Sequence, residues 1–183
     1  MSVAGVWLRS ARLRYAALAC VALAGSWAAY DITSGPPEMT VARYLAGSPD
    51  RALAPAGYSI GGASVACSTA GVVLDPKLSD LASAYAGFVI LNPSRMQPLP
   101  KTVNLYAFAH ECGHVLGGPS EERADCYAMA RGEAQGWLDA AGVEAICDFW
   151  KPYAGDSEHL PGAARCELMQ RCFDRARKSH SGG

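Results

Sequence analysis

The sequence predicts an α+β domain, because β-like runs occupy its first half and helical patterns its second half. Short runs rich in β-branched residues, separated by glycine, proline or asparagine, lie between residues 58 and 91. Stretches with helical periodicity and recognisable caps follow between residues 102 and 176. We therefore expect a short antiparallel or mixed sheet packed on a helix, followed by a helical C-terminal half.

The strand predictions rest on four short runs. They span residues 58–60, 63–67, 71–74 and 87–91. The uninterrupted apolar run 87–91, closed by Asn92 and Pro93, is the strongest of these signals. Residues 78–85, which precede that run, are predicted to form a helical turn or two.

The helix predictions rest on caps and on apolar spacing. Thr102 is a good N-cap after Pro100, and Gly117 with Gly118 stops the helix after Leu116. A second helix is expected to begin at Pro119 or Ser120 and to end at about residue 131. A third is expected over residues 133–149, either continuous or interrupted at Gly142, and a last one over residues 163–176. Residues 178–183 are predicted to be a disordered tail.

Length, composition and charge exclude several classes of protein. The 183 residues suit one domain with a targeting segment, and 50% hydrophobic with 18% charged residues excludes a disordered chain, a collagen-like fibre or a coiled coil. The 16 Lys and Arg residues face 17 Asp and Glu residues. Without a basic excess to neutralise phosphates, nucleic acid is not expected as a partner.

Residues 1–28 are predicted to be a secretory signal peptide, cleaved near Ala28. Three arginines, at positions 9, 12 and 14, precede an uncharged run over residues 15–30. That run is shorter than the ~20 residues of a spanning helix, and an uncleaved N-terminal membrane anchor is the alternative. Residues 29–56, which are rich in glycine and proline, are predicted to be a linker or a loosely packed arm.

The cysteine count agrees with export. Of the seven cysteines, six remain once the predicted signal is removed, and an even number is what disulfides leave. At least one bridge is expected within the C-terminal set of Cys126, Cys147, Cys166 and Cys172. The protein is therefore expected in the periplasm or outside the cell, with anchoring through residues 15–30 as the alternative.

The motif that carries chemistry is His110-Glu111-Cys112-Gly113-His114, an HExxH pattern inside the first predicted helix. Residues i and i+4 lie on one helix face, so both imidazoles can reach one metal ion. Glu111 lies beside them and can touch a water molecule on that metal. Cys112 falls on the opposite, apolar face, which makes it a core thiol or a disulfide partner rather than a ligand.

The acidic turn that follows can complete the site. Two imidazoles leave a catalytic zinc ion one protein ligand short. Glu121 and Asp125 are spaced i and i+4, so Glu121 can bind zinc while Asp125 holds a ligand histidine by its far nitrogen. Glu122 is the rival ligand. The plainer explanation is an acidic first turn that complements the helix dipole.

Together, HExxH followed by Glu-x-x-Ala-Asp resembles the gluzincin metallopeptidases. The likeness is to the zinc proteases related to the CAAX prenyl endopeptidase, with their soluble mini-gluzincin relatives. That group also carries a histidine followed six residues later by arginine, a spacing that His159 and Arg165 share. The resemblance covers about residues 84–172. It implies a small zincin-like fold, which we expect to span residues 57–177.

The resemblance also implies a role for each motif residue. His110, His114 and Glu121 would be the zinc ligands, Glu111 the general base and Asp125 the partner of a ligand. His159 and Arg165 would line the site and steady the tetrahedral intermediate. Phe88, Val89 and Ile90 would form an edge strand along which an extended peptide lies by β-augmentation.

The expected function is therefore that of a zinc-dependent endopeptidase acting on a peptide or protein substrate. Glu111 would assist attack of a zinc-bound water on the peptide carbonyl. A disulfide-stapled periplasmic module with a structural zinc and an interaction or chaperone-like role is the rival from another class. A metallohydrolase with a non-peptide substrate is a third possibility, since a fold does not dictate a function. An open position facing Glu111 would favour an enzyme, and a fourth protein ligand would favour the module.

Overall fold

The computed structural model of the protein describes residues 38–181, so the predicted signal peptide of residues 1–28 lies outside the described residues. The strands are β1 (Ala52–Leu53), β2 (Ser59–Ile60), β3 (Ala63–Ser64), β4 (Gly71–Leu74), β5 (Ala82–Tyr85) and β6 (Phe88–Leu91). The helices are α1 (Val41–Ala46), α2 (Pro93–Met96), α3 (Lys101–Gly117), α4 (Glu121–Ala134), α5 (Ala140–Trp150) and α6 (Gly162–Ser181). This is the expected α+β arrangement, a small mixed sheet with a helical C-terminal half. Within the described part, none of these helices has the length and apolar character to cross a membrane.

The main sheet has the strand order β1-β4-β6-β5. β4 and β6 are parallel, and the two outer strands run antiparallel to their neighbours. β6 is buried on both faces: Phe88 and Ile90 pack with Tyr44 of α1, whereas Val89 and Leu91 pack with Leu105 and Phe108 of α3. Its continuous apolar run is the pattern of an interior strand covered on both sides.

The prediction that Phe88, Val89 and Ile90 form an edge strand is therefore wrong. The edge strand next to β6 is β5, in the stretch 78–85 that was predicted as helical turns. Tyr85 pairs with Phe88 across a two-residue turn, in which Gly87 has a φ of 85° that favours glycine. Pairing with β6 outweighs the weak strand propensity of the alanine-rich sequence of β5.

The folded domain also begins earlier than residue 57, since residues 39–56 are not a loose arm in the structure. α1 places Tyr44 against the sheet, and the Tyr44 hydroxyl donates to the buried carboxylate of Asp75 at 2.7 Å. Arg51 donates to the same carboxylate at 2.8 Å. β1 then pairs with β4. The glycine and proline content of this segment marks its turns, while the tyrosine and the arginine tie it to the core.

The long helix α3 lies between two apolar clusters. One face packs on the sheet, and the other packs on a helical cluster that includes Met129 of α4, Ile146 of α5 and Phe173 of α6. The helical half departs from the prediction at two places. α4 continues to Ala134, so that the next helix starts only at Ala140, and α6 continues to Ser181, through most of the predicted tail.

Three disulfides connect these layers, which confirms the prediction of bridges among the C-terminal cysteines. Cys126–Cys172 joins α4 to α6, and Cys147–Cys166 joins α5 to α6. Cys67–Cys112 ties the segment before β4 to the centre of α3. Cys112 is thus a disulfide partner on the face opposite the histidines.

Candidate metal centre

The candidate site forms where α3 ends and α4 begins. His110 and His114 lie one turn apart on α3, and Glu121 is the first residue of α4. Between the helices, Gly118 adopts a φ of 82°, and its N–H donates to the carbonyl of His114 at 2.9 Å. Ser120 caps α4 by accepting from the N–H of Arg123. This tight turn brings Glu121 back over the two histidines.

Gly113 allows the two helices to approach this closely. A Cβ atom at position 113 would lie 2.9 Å from Cα and 3.3 Å from Cβ of Ala124. The absence of a side chain at Gly113 therefore lets α4 cross α3 beside the ligand residues. Gly113, the fourth residue of the HExxH motif, thus provides the room that the contact with Ala124 requires.

Ligand atoms of His110, His114 and Glu121 all lie within 4.8 Å of one another, so the group could hold a metal ion. Nε2 of His110 is 3.0 Å from Nε2 of His114. The Glu121 carboxylate completes the group, with Oε2 3.1 Å from His110 Nε2 and Oε1 3.2 Å from His114 Nε2. Glu122, the rival ligand, is exposed and does not belong to the group.

The far nitrogens of the two rings show why a cation fits here. Nδ1 of His110 is 2.8 Å from Asp125 Oδ1, and Nδ1 of His114 is 3.1 Å from the carbonyl oxygen of Gly118. Both partners only accept hydrogen bonds, so both Nδ1 atoms carry a proton. In the neutral rings, two Nε2 lone pairs then converge with the oxygens of Glu121. Such a cluster of acceptors needs either an extra proton or a metal ion between them.

The pKa values of these groups reflect the same convergence. Burial opposes the charge of His110, but hydrogen bonds with Asp125 and Glu121 outweigh it and raise its pKa to about 9. Burial likewise disfavours ionised Glu121, yet the hydrogen bond with His110 and the charges of the histidines lower the pKa of that carboxyl. The site thus attracts positive charge to its centre.

Asp125 is a buried carboxylate that holds the ring of His110 in place. It is 2% exposed, and Arg165 donates to it twice, from Nε to Oδ2 and from an Nη to Oδ1, both at 2.8 Å. Tyr106 also donates its hydroxyl to Oδ1. Burial would raise the pKa of Asp125, but the hydrogen bonds from His110 and Arg165 prevail and lower it to about 2. Asp125 therefore stays ionised and fixes the orientation of His110.

Arg165 and Tyr106 are both buried next to Asp125. Arg165 is 3% exposed, and its nearest Nη is 3.3 Å from Nδ1 of His110, on the side of the ring away from the ligand group. It lines the cleft as expected, while its guanidinium is paired with Asp125. Tyr106 is 1% exposed and donates to the same carboxylate.

Glu111 is placed beside the ligand group without belonging to it. It lines the same cleft as His110 and His114, and among the described residues its carboxylate has no hydrogen-bond partner. Burial raises the pKa of the Glu111 carboxyl, partly offset by the neighbouring histidines. Glu111 is thus a carboxylate without a hydrogen-bond partner of its own, near enough to His110, His114 and Glu121 for their charges to affect its pKa.

The loop between α5 and α6 delivers His159 to the site. His159 Nε2 is 3.1 Å from Oε2 of Glu121, and its Nδ1 is 3.1 Å from Oδ1 of Asp156. Asp156 also accepts from the backbone N–H groups of residues 158 and 159, each at 2.8 Å, and from the hydroxyl of Tyr153. These bonds lower the pKa of Asp156, with the Tyr153 hydroxyl as the largest cause. Asp156 and Tyr153 were not predicted, although an aspartate between Gly155 and Ser157 is typical of an Asx turn, in which its side chain accepts from the backbone two residues on.

A cleft of about 1310 Å³ opens over the ligand group. Strand β5 and the preceding residues 79–81 form one wall, and α3 contributes His110, Glu111 and His114. Phe149, Trp150, Tyr153 and the 156–159 loop also line the cleft. The structure thus brings seven of the predicted residues together, namely His110, Glu111, His114, Glu121, His159, Asp125 and Arg165. Phe88, Val89 and Ile90 lie outside, in the sheet interior.

Comparisons of the chain with protein-family models, with curated proteins and with solved structures find no match. The resemblance to the gluzincins therefore rests on the motifs and stays a prediction.

Proposed function

We propose that this protein is an exported zinc-dependent endopeptidase. The observation that carries the proposal is a three-ligand group that opens into a cleft beside an unengaged carboxylate, Glu111. Three protein ligands with an accessible fourth position are typical of catalytic zinc, whereas structural zinc is usually closed by four. Two imidazoles and one carboxylate form a donor set that suits zinc.

A zinc ion held by His110, His114 and Glu121 would polarise a peptide carbonyl and lower the pKa of a coordinated water toward ~7. The protein supplies the rest of the chemistry. Glu111 accepts the proton of the attacking water and returns it to the departing amine. Asp125 holds His110 through Nδ1, so that Nε2 stays unprotonated for the metal.

His159 lines the cleft and contacts the ligand residue Glu121. Asp156 orients its ring, and its Nε2 reaches the Glu121 carboxylate. From this position His159 can donate to an oxygen on which negative charge develops during the reaction. The loop that carries His159 is stabilised by Asp156, which accepts hydrogen bonds from the Tyr153 hydroxyl and from the backbone N–H of His159.

The peptide substrate is proposed to lie along β5 and not along β6. β5 is the end strand of the main sheet, pairs only with β6 among the described strands, and lines the cleft. Its small side chains at Ala82, Ser83 and Ala84 allow another backbone to approach. An extended peptide that adds to this edge would pass over the ligand group.

Three disulfides support the proposed location outside the reducing cytosol. The rival reading, a non-catalytic module with a structural metal, shares the disulfides. It does not account for an unengaged carboxylate at an open ligand group.

The test compares zinc content and peptide cleavage in wild type, Glu111→Gln and Glu144→Gln. Glu144 is exposed on α5 and does not line the cleft, so its variant controls for loss of one carboxylate. Glu111→Gln should keep its zinc and lose a factor of about 10²–10⁴ in kcat, because it removes the basic oxygen. His159→Ala should also keep its zinc, and its kcat should fall by a smaller factor than that of Glu111→Gln. A Glu111→Gln variant that cleaves as fast as wild type contradicts the mechanism, and zinc-loaded wild type that cleaves nothing favours the non-catalytic module.

A further inference from the structure

We propose that the cleft selects cationic peptides, with Lys or Arg beside the bond that is cut; this inference rests on the proposed function and names its substrate class. Two independent features of the cleft support it, the sign of its charged groups and the aromatic surface between them.

Carboxylates dominate the charged groups that line the cleft. Six are present, at Asp80, Glu111, Glu121, Glu122, Asp156 and Glu158, against two guanidiniums, at Arg95 and Arg165. Arg165 is already paired with buried Asp125. Among the other Lys and Arg residues of the described range 38–181, only Arg95 lies on the cleft wall.

Most of these carboxylates are not needed by the metal site. Glu121 belongs to the ligand group and Glu111 lies beside it, which leaves four carboxylates around the rim. Asp80, Glu122 and Glu158 are exposed, and none of them forms a salt bridge with another described residue. They come from separate segments of the chain, since Asp80 precedes β5, Glu122 lies in α4 and Glu158 lies in the loop between α5 and α6. The rim therefore presents a negative field to whatever enters.

The aromatic groups supply the second feature. Tyr85 on the edge strand is 41% exposed and lines the cleft, as do Phe149 and Tyr153. The stems of Lys and Arg bury well against aromatic surface, and their charged heads interact with ring faces. The protein already makes this contact itself, because the Arg165 guanidinium carbon lies 4.3 Å from the Trp150 ring centroid. Carboxylates next to aromatic rings are the chemistry that recognises a cationic side chain.

A peptide added to β5 would extend the sheet, so its side chains would alternate between the two faces of that sheet. Cationic side chains on the cleft face within about two residues of the cut bond would reach the rim carboxylates. Acidic side chains at those positions would meet like charges. The expected discrimination in kcat/KM is about tenfold or more between peptides that differ only in the sign of these flanking charges.

The test uses fluorogenic peptides with one common core and basic, neutral or acidic flanking residues. Wild type should cleave the basic peptide about tenfold faster than the acidic one at about 50 mM salt, with a smaller ratio at about 500 mM salt. The double variant Asp80→Lys with Glu158→Lys should reverse this order, and Asp80→Asn with Glu158→Gln should flatten it. Zinc content is measured for each variant.

The control is the double variant Glu144→Lys with Asp148→Lys, which makes the same change in net charge on the exposed side of α5, outside the cleft. This control variant should still cleave the basic peptide faster than the acidic one, because the preference depends on the charges that line the cleft and not on the net charge of the protein. Equal cleavage of basic and acidic peptides overturns the inference and leaves the proposed function standing. An equal loss of preference in the control variant also overturns it.

A different result would count against the proposed function. If zinc-loaded wild type cleaves none of the peptides, binding of the labelled basic and acidic peptides is measured by fluorescence anisotropy. Preferential binding of the basic peptide, lost in the Asp80→Lys, Glu158→Lys variant, supports the cationic specificity of the cleft in a protein that is no peptidase. Equal binding of the two peptides refutes it.

Discussion

Replacing Gly113 by alanine should damage the metal centre although the new methyl group is not itself a ligand. The new Cβ would lie 2.9 Å from Cα of Ala124, whereas ordinary contacts begin at 3.4 Å, so α3 and α4 must separate by about 0.5 Å or rotate. α3 carries His110 and His114, and α4 carries Glu121. Metal–ligand distances tolerate only about 0.2 Å, so the shift should reduce zinc affinity about 10–100-fold.

The same substitution should also affect the stability of the metal-free protein. Alanine gains about 1 kcal/mol over glycine in a helix interior, while overpacking a tight contact costs about 1–3 kcal/mol. The free energy of unfolding should therefore fall by up to about 2 kcal/mol. Gly117→Ala is the control one turn further along α3, because its Cβ would meet nothing within 4 Å.

The assays are zinc competition against a chromophoric chelator and urea unfolding followed by circular dichroism in the presence of a chelator. Gly117→Ala should bind zinc like wild type and be equally or slightly more stable. A Gly113→Ala variant that matches Gly117→Ala in both measurements would refute the idea that helix approach at this glycine sets the ligand geometry.

Three further outcomes are expected. Glu121→Ala should lose zinc while Glu122→Ala keeps it, as measured by metal analysis after dialysis, and the reverse order would move the ligand by one residue. Burial opposes ionisation of Asp75, but hydrogen bonds from Tyr44, Lys77 and Arg51 outweigh it and lower the pKa of its carboxyl in the folded protein. Ionised Asp75 therefore stabilises the fold fully above the ordinary carboxyl pKa of about 3.9, and this contribution is lost as the pH falls through the lower pKa of the folded state. Asp75→Asn should therefore lower the free energy of unfolding by about 1–3 kcal/mol at pH 7, and the stability of the variant should depend less on acid than that of wild type. A urea midpoint equal to that of wild type at pH 7 and at acidic pH would contradict this. Replacing Cys126 and Cys172 by serine should cost about 2–4 kcal/mol in the same urea assay, because their bridge closes a sequence separation of 46 residues, and unchanged stability would show that it constrains nothing.

Sequence periodicity was enough to predict the parts of the site that lie on one helix. His110 and His114 share a face because a helix repeats every 3.6 residues, and Cys112 is on the other face for the same reason. Glu121 follows after a turn whose glycines are visible in the sequence. Local geometry of this kind depends on residues a few positions apart, so it can be inferred without knowledge of the fold.

Strand order and the outer contacts of the site could not be obtained in this way. Whether 87–91 lies at an edge depends on what pairs with it, and its partners are β4 and β5, of which β5 carries almost no strand signal. The resemblance to the gluzincin spacing predicted that His159 and Arg165 lie at the site. Their different contacts, of His159 with Asp156 and of Arg165 with Asp125, are visible only in the structure.

The sequence by itself thus determined the helix that carries the histidines, the acidic residue beyond the turn and the even set of cysteines that pair. The tertiary structure decided which strand lines the cleft, that Arg165 supports Asp125 and that Tyr106 is buried. It also brought carboxylates from distant segments, such as Asp80 and Glu158, to one cleft. The physical reason is that helix faces are set by short-range backbone geometry, whereas edges, burial and summed charge depend on which distant segments pack together.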